Sequence, residues 1–205
     1  MLDYIDRRHA LLNQQNSTPQ AVDDDGPRIQ LASLIEESIV DGPGVRFTIF
    51  TQECPHRCHG CHNPSTHLSV GGSYWTIDSI MALYKQQASC VGMTLSGGEP
   101  FVQAGPVAKL ARQVHDLGHN IITYTGYRWE RLRHLAKSNS DIAALLAETD
   151  LLIDGRFMLA YKTLEAPFVG SSNQRLISLS EEGNKLLEAI PLAPAPLEIE
   201  RIYFQ

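Results

Sequence analysis

Val45-Arg46-Phe47-Thr48-Ile49-Phe50 is a β-rich run that leads into the loop Cys54-Pro55-His56-Arg57-Cys58-His59-Gly60-Cys61. β-Branched and aromatic residues predict a strand over residues 45–50. Three of the four cysteines in the chain fall within the eight residues of the loop. The sequence therefore predicts a strand that presents a group of thiols at its carboxyl end.

Further strands and helices are predicted to alternate downstream of this loop. Apolar residues at helical spacing predict helices, the first of them through Ile77, Ile80, Met81 and Tyr84. A later helix is predicted to open at Pro106 and to stop at Gly118. Strands are predicted between the helices, at 91–95, 120–124, 151–153 and 175–179. This alternation indicates an α/β fold with mostly parallel strands, either an open sheet or a partial (β/α) barrel.

Three polar, glycine-containing turns each begin where a predicted strand ends. They are Ser96-Gly97-Gly98-Glu99, Thr125-Gly126-Tyr127 and Asp154-Gly155-Arg156. In α/β folds, ligands bind at the carboxyl edge of the sheet. We therefore expect the three turns to converge at one functional edge.

The composition excludes several classes of protein. A chain of 205 residues (22.7 kDa) is long enough for one well-buried domain and short for two. Its formal net charge of −6 argues against a nucleic-acid partner. No run approaches the roughly 18–20 apolar residues of a membrane span, and the charged N-terminus does not resemble a secretory signal. We expect a cytoplasmic protein without a membrane partner.

The ends of the chain differ in character from its centre. Residues 1–28 form a polar N-terminal extension with the acidic run Asp23-Asp24-Asp25. Residues 29–182 are predicted to form the catalytic domain. Residues 183–205 are predicted to be a C-terminal tail, in which Pro191, Pro194 and Pro196 forbid regular helix.

The cysteine loop has the spacing C-x3-C-x2-C. In a reducing compartment such a cluster indicates metal binding or catalysis before it indicates disulfides. Three thiolates can hold a cubane iron–sulfur cluster and leave one iron without a protein ligand, whereas electron-transfer clusters usually take four. A zinc site remains an alternative because four histidines lie nearby, although a second pair of cysteines is missing. These histidines are His56, His59, His62 and His67, and Cys90 is predicted to be a buried small hydrophobe.

Taken together, the motifs resemble a known enzyme family. C-x3-C-x2-C followed by Gly97-Gly98-Glu99-Pro100 resembles the radical S-adenosylmethionine (SAM) superfamily. The segment 41–47 (DGPGVRF) resembles the activating enzymes of glycyl radical enzymes. Residues 124–127, 152–157 and 170–175 resemble the branch that activates anaerobic ribonucleoside-triphosphate reductase. The resemblance covers about residues 33 to 179.

The resemblance implies the cofactors and the residues that bind them. Cys54, Cys58 and Cys61 would hold a [4Fe–4S] cluster, whose fourth iron would take SAM. Gly97 and Gly98 would let the backbone approach the methionine moiety, and Glu99 would position its ammonium group. The remaining residues expected at the cofactor are Gly60, His62, Thr125, Asp154 and Arg156. Thr125 and the turn with Asp154 and Arg156 would meet the ribose and the methionyl carboxylate.

The resemblance also implies the reaction. A flavodoxin-like or ferredoxin-like donor would reduce the cluster, and cleavage of SAM would give a 5′-deoxyadenosyl radical. This radical would take a hydrogen atom from a glycine of the glycyl radical subunit of the reductase. The alternatives are another radical SAM enzyme, either a pyruvate formate-lyase-type activator or a deazapurine-type synthase, and a non-catalytic metal-binding module.

Overall fold

A mixed β-sheet forms the centre of the molecule in a computed structural model that describes residues 26–191 and 198–202. In chain order its strands are β1 (Arg28–Ser38), β2 (Arg46–Thr51), β3 (Ser73–Thr76), β4 (Gly92–Gly97), β5 (Asn120–Tyr124), β6 (Leu151–Asp154), β7 (Arg175–Ser178) and β8 (Glu198–Arg201). They stand side by side in the order β3-β1-β2-β4-β5-β6-β7-β8. The sheet is open, because within the described residues it ends at β3 on one side and at β8 on the other.

The parallel part of the sheet is the part that carries the predicted turns. β2, β4, β5 and β6 run parallel to one another, as do β7 and β8. β1 is antiparallel to both β2 and β3, and β7 is antiparallel to β6. The α/β class with mostly parallel strands is confirmed. The five strands predicted from the sequence are all present, whereas β1, β3 and β8 were not predicted.

Within residues 26–191 and 198–202, five α-helices connect or cover the strands. They are α1 (Ile77–Tyr84), α2 (Ala104–His115), α3 (Trp129–Ala136), α4 (Ser140–Ala147) and α5 (Glu181–Glu188). Side-chain oxygens of Thr76, Asn139 and Ser180 accept backbone N–H groups at the starts of α1, α4 and α5, which satisfies donors that a helix leaves open. α2 begins at Ala104, not at Pro106 as predicted, because the missing N–H of proline is tolerated within the first turn.

Both faces of the central strands are buried. Ile121 and Leu152 pack into a large core with α1–α4, whereas their neighbours Ile122 and Leu151 pack on the opposite face. Part of α5 covers that second face through Leu186 and Leu187. Burial on both sides explains why β5 and β6 are mostly apolar.

The ends of the chain are described only in part. The predictions for residues 1–25 lie outside the described residues. Arg28 already belongs to β1, and the predicted tail contributes most of α5 and the edge strand β8 to the fold. No helix in the described part of the chain is long and apolar enough to cross a membrane.

A partly buried ionic cluster joins α2 to the segment just before β6, at the end of the sheet opposite the three predicted turns. His115 Nδ1 lies 2.7 Å from Glu148 Oε2, and His115 Nε2 lies 2.9 Å from Asp150 Oδ2. The hydrogen bond to Asp150 raises the pKa of His115, and the bond to Glu148 adds to this effect although burial opposes it. The imidazolium form is therefore favoured in the folded protein.

Replacing His115 with glutamine should lower the free energy of unfolding by about 2 kcal/mol near pH 6, since hydrogen bonds to charged groups are lost. The pKa of His115 is higher in the folded than in the unfolded state, so this stabilisation is complete below the unfolded pKa and disappears as pH rises through the folded pKa. Urea denaturation across this range would measure the effect, with exposed His134→Gln as the control. A deficit independent of pH would contradict the assignment.

Candidate functional site

The cysteine loop begins where β2 ends and crosses the carboxyl edge of the parallel strands. Glu53, Arg57 and Gly60 all have positive φ angles, of 74°, 46° and 74°, and these angles allow the loop to reverse direction repeatedly. The side chain of Gln52 fixes the segment that follows the loop, because its amide donates to the carbonyl oxygens of Leu68 (2.8 Å) and Ser65 (3.1 Å). Hydrogen bonds therefore hold the loop and the segment after it in a defined conformation.

The three predicted ligand thiols differ in exposure. Cys54 is buried, whereas Cys58 and Cys61 are half-buried, and none of them forms a disulfide. Burial raises the pKa of Cys54 and of Cys58, and the neighbouring Cys61 thiol raises the pKa of Cys58 further. The backbone N–H of Asn63 donates to Cys61 Sγ at 3.4 Å. Within the described residues, no three His, Cys, Asp or Glu side chains are grouped so as to hold a single metal ion.

The double-glycine turn lies directly against the start of the cysteine loop. Gly98 N donates to Thr51 O at 2.7 Å, and Glu99 N donates to Glu53 O at 2.8 Å. Gly97 has a φ of 102°, and a Cβ there would overlap the backbone of Phe50 and Thr51. Glycine is therefore required at this turn because the ends of β4 and β2 pack closely together. The sequence did not reveal this requirement.

The carboxylate of Glu99 joins the loops that follow three strands. It is fully buried and lies 2.7 Å from His56 Nε2 in the cysteine loop. It also accepts hydrogen bonds from Thr125 Oγ1 (2.9 Å), Gly126 N (2.9 Å) and Phe101 N (3.2 Å). Glu99 and Thr125 were predicted site residues, and the structure brings them together. His56 was considered only as an alternative zinc ligand, and its role in this network was missed.

Asp154 is the last residue of β6 and Arg156 follows it, but the two have different surroundings. Asp154 is fully buried and accepts hydrogen bonds from Arg175 Nε (2.9 Å) and Trp129 N (2.6 Å). Arg156 is exposed, and its guanidinium has no hydrogen bond or ion pair within the described part of the chain. Its charge lowers the pKa of Cys58, against the larger effect of burial. Arg156 thus offers a cation beside the cysteine loop, whereas Asp154 is already paired.

Gly60 and His62 contact the segment that follows Arg156. A Cβ on Gly60 would lie 3.2 Å from Leu159 Cδ1 and 3.5 Å from Phe157 Cε1. The ring of His62 lies 5.0 Å from the ring of Phe157, measured between centroids. The cysteine loop therefore reaches from the end of β2 across the sheet to the loop after β6.

The Gly-Ser-Ser-Asn-Gln element at 170–174 holds the loop after β6 in place. Gln174 Oε1 accepts the N–H groups of Gly170 (2.9 Å) and Ser171 (3.2 Å), and Gln174 Nε2 donates to Gly155 O at 3.2 Å. Asn173 Nδ2 donates to the carbonyl oxygen of Arg156 at 2.9 Å. This element thus fixes the backbone on both sides of Arg156.

The edge of the sheet therefore combines three thiols with an exposed guanidinium over a buried carboxylate network. Thiols are ligands for soft metals and iron–sulfur clusters. A guanidinium binds carboxylates through parallel hydrogen bonds. Such an edge can hold a metal cluster beside an anionic organic ligand.

Comparisons with known proteins agree with this chemistry. The 4Fe-4S single cluster domain family matches residues 40–177. The chain is 30% identical over 145 residues to the anaerobic ribonucleoside-triphosphate reductase-activating protein of Enterobacteria phage T4. The aligned region covers 68% of this chain and 87% of the phage protein. The protein of that name from Vibrio cholerae is 34% identical over 144 residues, or 66% of this chain and 89% of the relative. The pyruvate formate-lyase-activating enzyme of Clostridium pasteurianum is 30% identical over 122 residues, or 57% of this chain and 51% of the enzyme.

Proposed function

This chain belongs to the family of the anaerobic ribonucleoside-triphosphate reductase-activating proteins, and on that premise we propose the reaction that its site carries out. It is a radical SAM enzyme that cleaves SAM reductively. It abstracts a hydrogen atom from a glycine of the anaerobic ribonucleoside-triphosphate reductase and leaves a glycyl radical there. The observation that carries this function is the convergence of the cysteine loop, the double-glycine turn and Arg156 on one edge of the sheet.

Cys54, Cys58 and Cys61 are the residues that hold the cluster in this proposal. The residues present fit a [4Fe–4S] cluster, because the three thiols lie in one short loop and a backbone N–H already points at the Cys61 sulfur. Burial raises the pKa of both thiols, but backbone amides of His56 and Arg57 lower the pKa of Cys54, and that of Phe157 lowers the pKa of Cys58. These hydrogen bonds favour the thiolate form. A cluster with one iron free of protein ligands supplies the electron that cleaves SAM.

Arg156 is the residue best placed to bind the methionyl carboxylate of SAM. Its guanidinium is exposed beside Cys58, and Asn173 holds its backbone. Gly97, Gly98, Gly60 and His62 form the surrounding surface in this proposal.

Glu99, Thr125 and Asp154 support the SAM site in this proposal from their buried positions. Direct contact of Glu99 with the ammonium group requires the carboxylate to give up a bond to His56 or Thr125. Asp154 keeps the turn before Arg156 in place through Arg175.

The finer features of the protein are part of the same proposal. The open sheet is a partial (β/α) barrel, with the radical SAM domain in residues 29–182, an extension in 1–28 and a tail in 183–205. The protein acts in the cytoplasm, where thiols stay reduced. A flavodoxin-like or ferredoxin-like protein supplies the electron, and neither nucleic acid nor membrane takes part.

Anaerobic incubation of the reconstituted protein with SAM, dithionite and the reductase of the source organism tests the function. We expect 5′-deoxyadenosine and a glycyl radical signal in electron paramagnetic resonance, and we expect the signal to be absent when the radical-bearing glycine is replaced by alanine. Formation of the radical on pyruvate formate-lyase but not on the reductase would reassign the substrate. Absence of SAM cleavage by a cluster-loaded sample would overturn the proposal.

A further inference from the structure

Four exposed apolar side chains border the cysteine loop and are here called the ridge: Met158, Leu159, Tyr161 and Leu164. Their exposed fractions are 45%, 47%, 52% and 73%. They are four of the thirteen exposed large hydrophobic residues in the described part of the chain, and they fall within seven consecutive positions. Clustered exposed apolar side chains mark interaction sites more often than scattered ones do.

The ridge is held in a fixed conformation by the neighbouring 170–174 element. Met158 N donates to Ser171 Oγ at 3.1 Å, and Ser172 N donates to Tyr161 O at 2.8 Å. Thr163 N donates to Gly170 O at 3.2 Å. A surface that is already ordered loses little conformational entropy when a partner binds.

Four of the seven backbone N–H groups in residues 158–164 already donate to acceptors within the protein. Tyr161 N and Lys162 N donate to the carbonyl oxygens of Met158 and Leu159 within a 3-10 turn, and the N–H groups of Met158 and Thr163 are occupied as described above. An added β-strand would need free donors and acceptors. A partner is therefore recognised by burial of apolar side chains and not by strand addition.

The ridge is continuous with the cysteine loop. Leu159 contacts the loop at Gly60, which lies between Cys58 and Cys61. Arg57, Arg156 and Lys162 are exposed cations, each three positions along the chain from Gly60 or Leu159, although the chain as a whole carries a net charge of −6. Any chain segment that covers the ridge thus lies next to the predicted ligands of the cluster, in a stretch with three exposed cations and the exposed Glu165.

We propose that the ridge is the docking surface for the glycine-bearing segment of the reductase. This inference rests on the proposed function, in which a backbone glycine must reach the cysteine loop. The segment carries apolar side chains beside its glycine, which pack on Tyr161 and Leu164, and acidic residues that face the three cations. Burial on the ridge places the glycine at the end next to Gly60.

The double variant Tyr161→Ser/Leu164→Ser tests this inference in the cluster-loaded full chain. We expect the KM for the reductase, read from the glycyl radical signal with dithionite as reductant, to rise about tenfold or more, as for loss of interface anchors. Formation of 5′-deoxyadenosine without reductase should not change. The matched control is Ile39→Ser/Leu117→Ser. Both residues are exposed apolar side chains, and they lie near the amino ends of the parallel strands, away from the cysteine loop.

Any other outcome counts against the ridge as the docking surface for the reductase. An unchanged KM, or an equal rise in the control, would overturn the docking site. A fall in SAM cleavage without reductase would show that the ridge supports the cluster instead. A defect seen only with a protein electron donor, and not with dithionite, would assign the surface to that donor. If the unaltered protein cleaves SAM but forms no radical on the reductase, the proposed function itself fails.

Discussion

Cys58→Ala should yield a protein that holds no [4Fe–4S] cluster and forms no detectable 5′-deoxyadenosine from SAM. Cys58 lies in the middle of the cysteine loop, between Cys54 and Cys61, and two thiols cannot take the place of three. The side chain is only half-buried, so the fold should survive its truncation. The visible absorbance of the anaerobically reconstituted sample and chromatography of its reaction products would measure both losses.

Cys90→Ala is the matched control for this prediction. Cys90 is buried outside the loop, and its thiol lies 3.2 Å from Glu36 O, so its loss should reduce stability by about 1 kcal/mol and leave the cluster intact. Full SAM cleavage by Cys58→Ala, or loss of the cluster from Cys90→Ala, would refute the assignment of ligands.

Glu99→Ala should destabilise the folded protein by about 4 kcal/mol, since it leaves several buried donors without an acceptor, each worth about 1–3 kcal/mol. These donors are the His56 ring, Thr125 Oγ1 and the N–H groups of Phe101 and Gly126. Glu99→Gln keeps one acceptor oxygen and should cost about half as much. Urea denaturation of the cluster-free protein under anaerobic conditions would measure both effects.

The comparison with an exposed glutamate separates the structural role of Glu99 from contact with SAM. Glu188→Ala, at the exposed end of α5, should change stability by less than about 0.5 kcal/mol. If Glu99 only bound the ammonium group of SAM, its replacement would raise the KM for SAM and leave the denaturation midpoint where it was. That result would show that the network around Glu99 does not support the fold.

The amino-acid sequence was sufficient to predict the parallel part of the fold. Strands β2, β4, β5 and β6 are short runs rich in apolar and β-branched residues, each followed by a cysteine loop or a polar turn, and such runs are recognisable without tertiary information. β1 was missed although it is the longest strand, because charged residues such as Glu36 and Glu37 interrupt its pattern. β3 and β8 were missed because they have four residues each and are the outer strands of the sheet. Such short outer strands need little alternation of apolar and polar residues.

For the candidate site, too, local features could be predicted from the sequence and contacts between distant residues could not. Cysteine spacing and predicted strand ends singled out the three cysteines and the turns after β4, β5 and β6 as candidates, because these are local properties of the chain. The partners of the turn residues could not be predicted, since His56 and Glu99 are separated by 43 positions and Asp154 and Arg175 by 21. The sequence also could not show that a Cβ on either glycine of the double-glycine turn would meet the backbone of residues 50–53.

The sequence by itself determined which thiols are the candidate ligands of the site, because the number, type and spacing of cysteines are local properties of the chain. Tertiary structure alone decided which charged groups are already neutralised by partners and which are exposed. Asp154 and Glu99 are enclosed by donors from other elements, whereas Arg156 and the ridge face outward. Burial depends on packing between elements distant in the chain, so no local pattern can encode it.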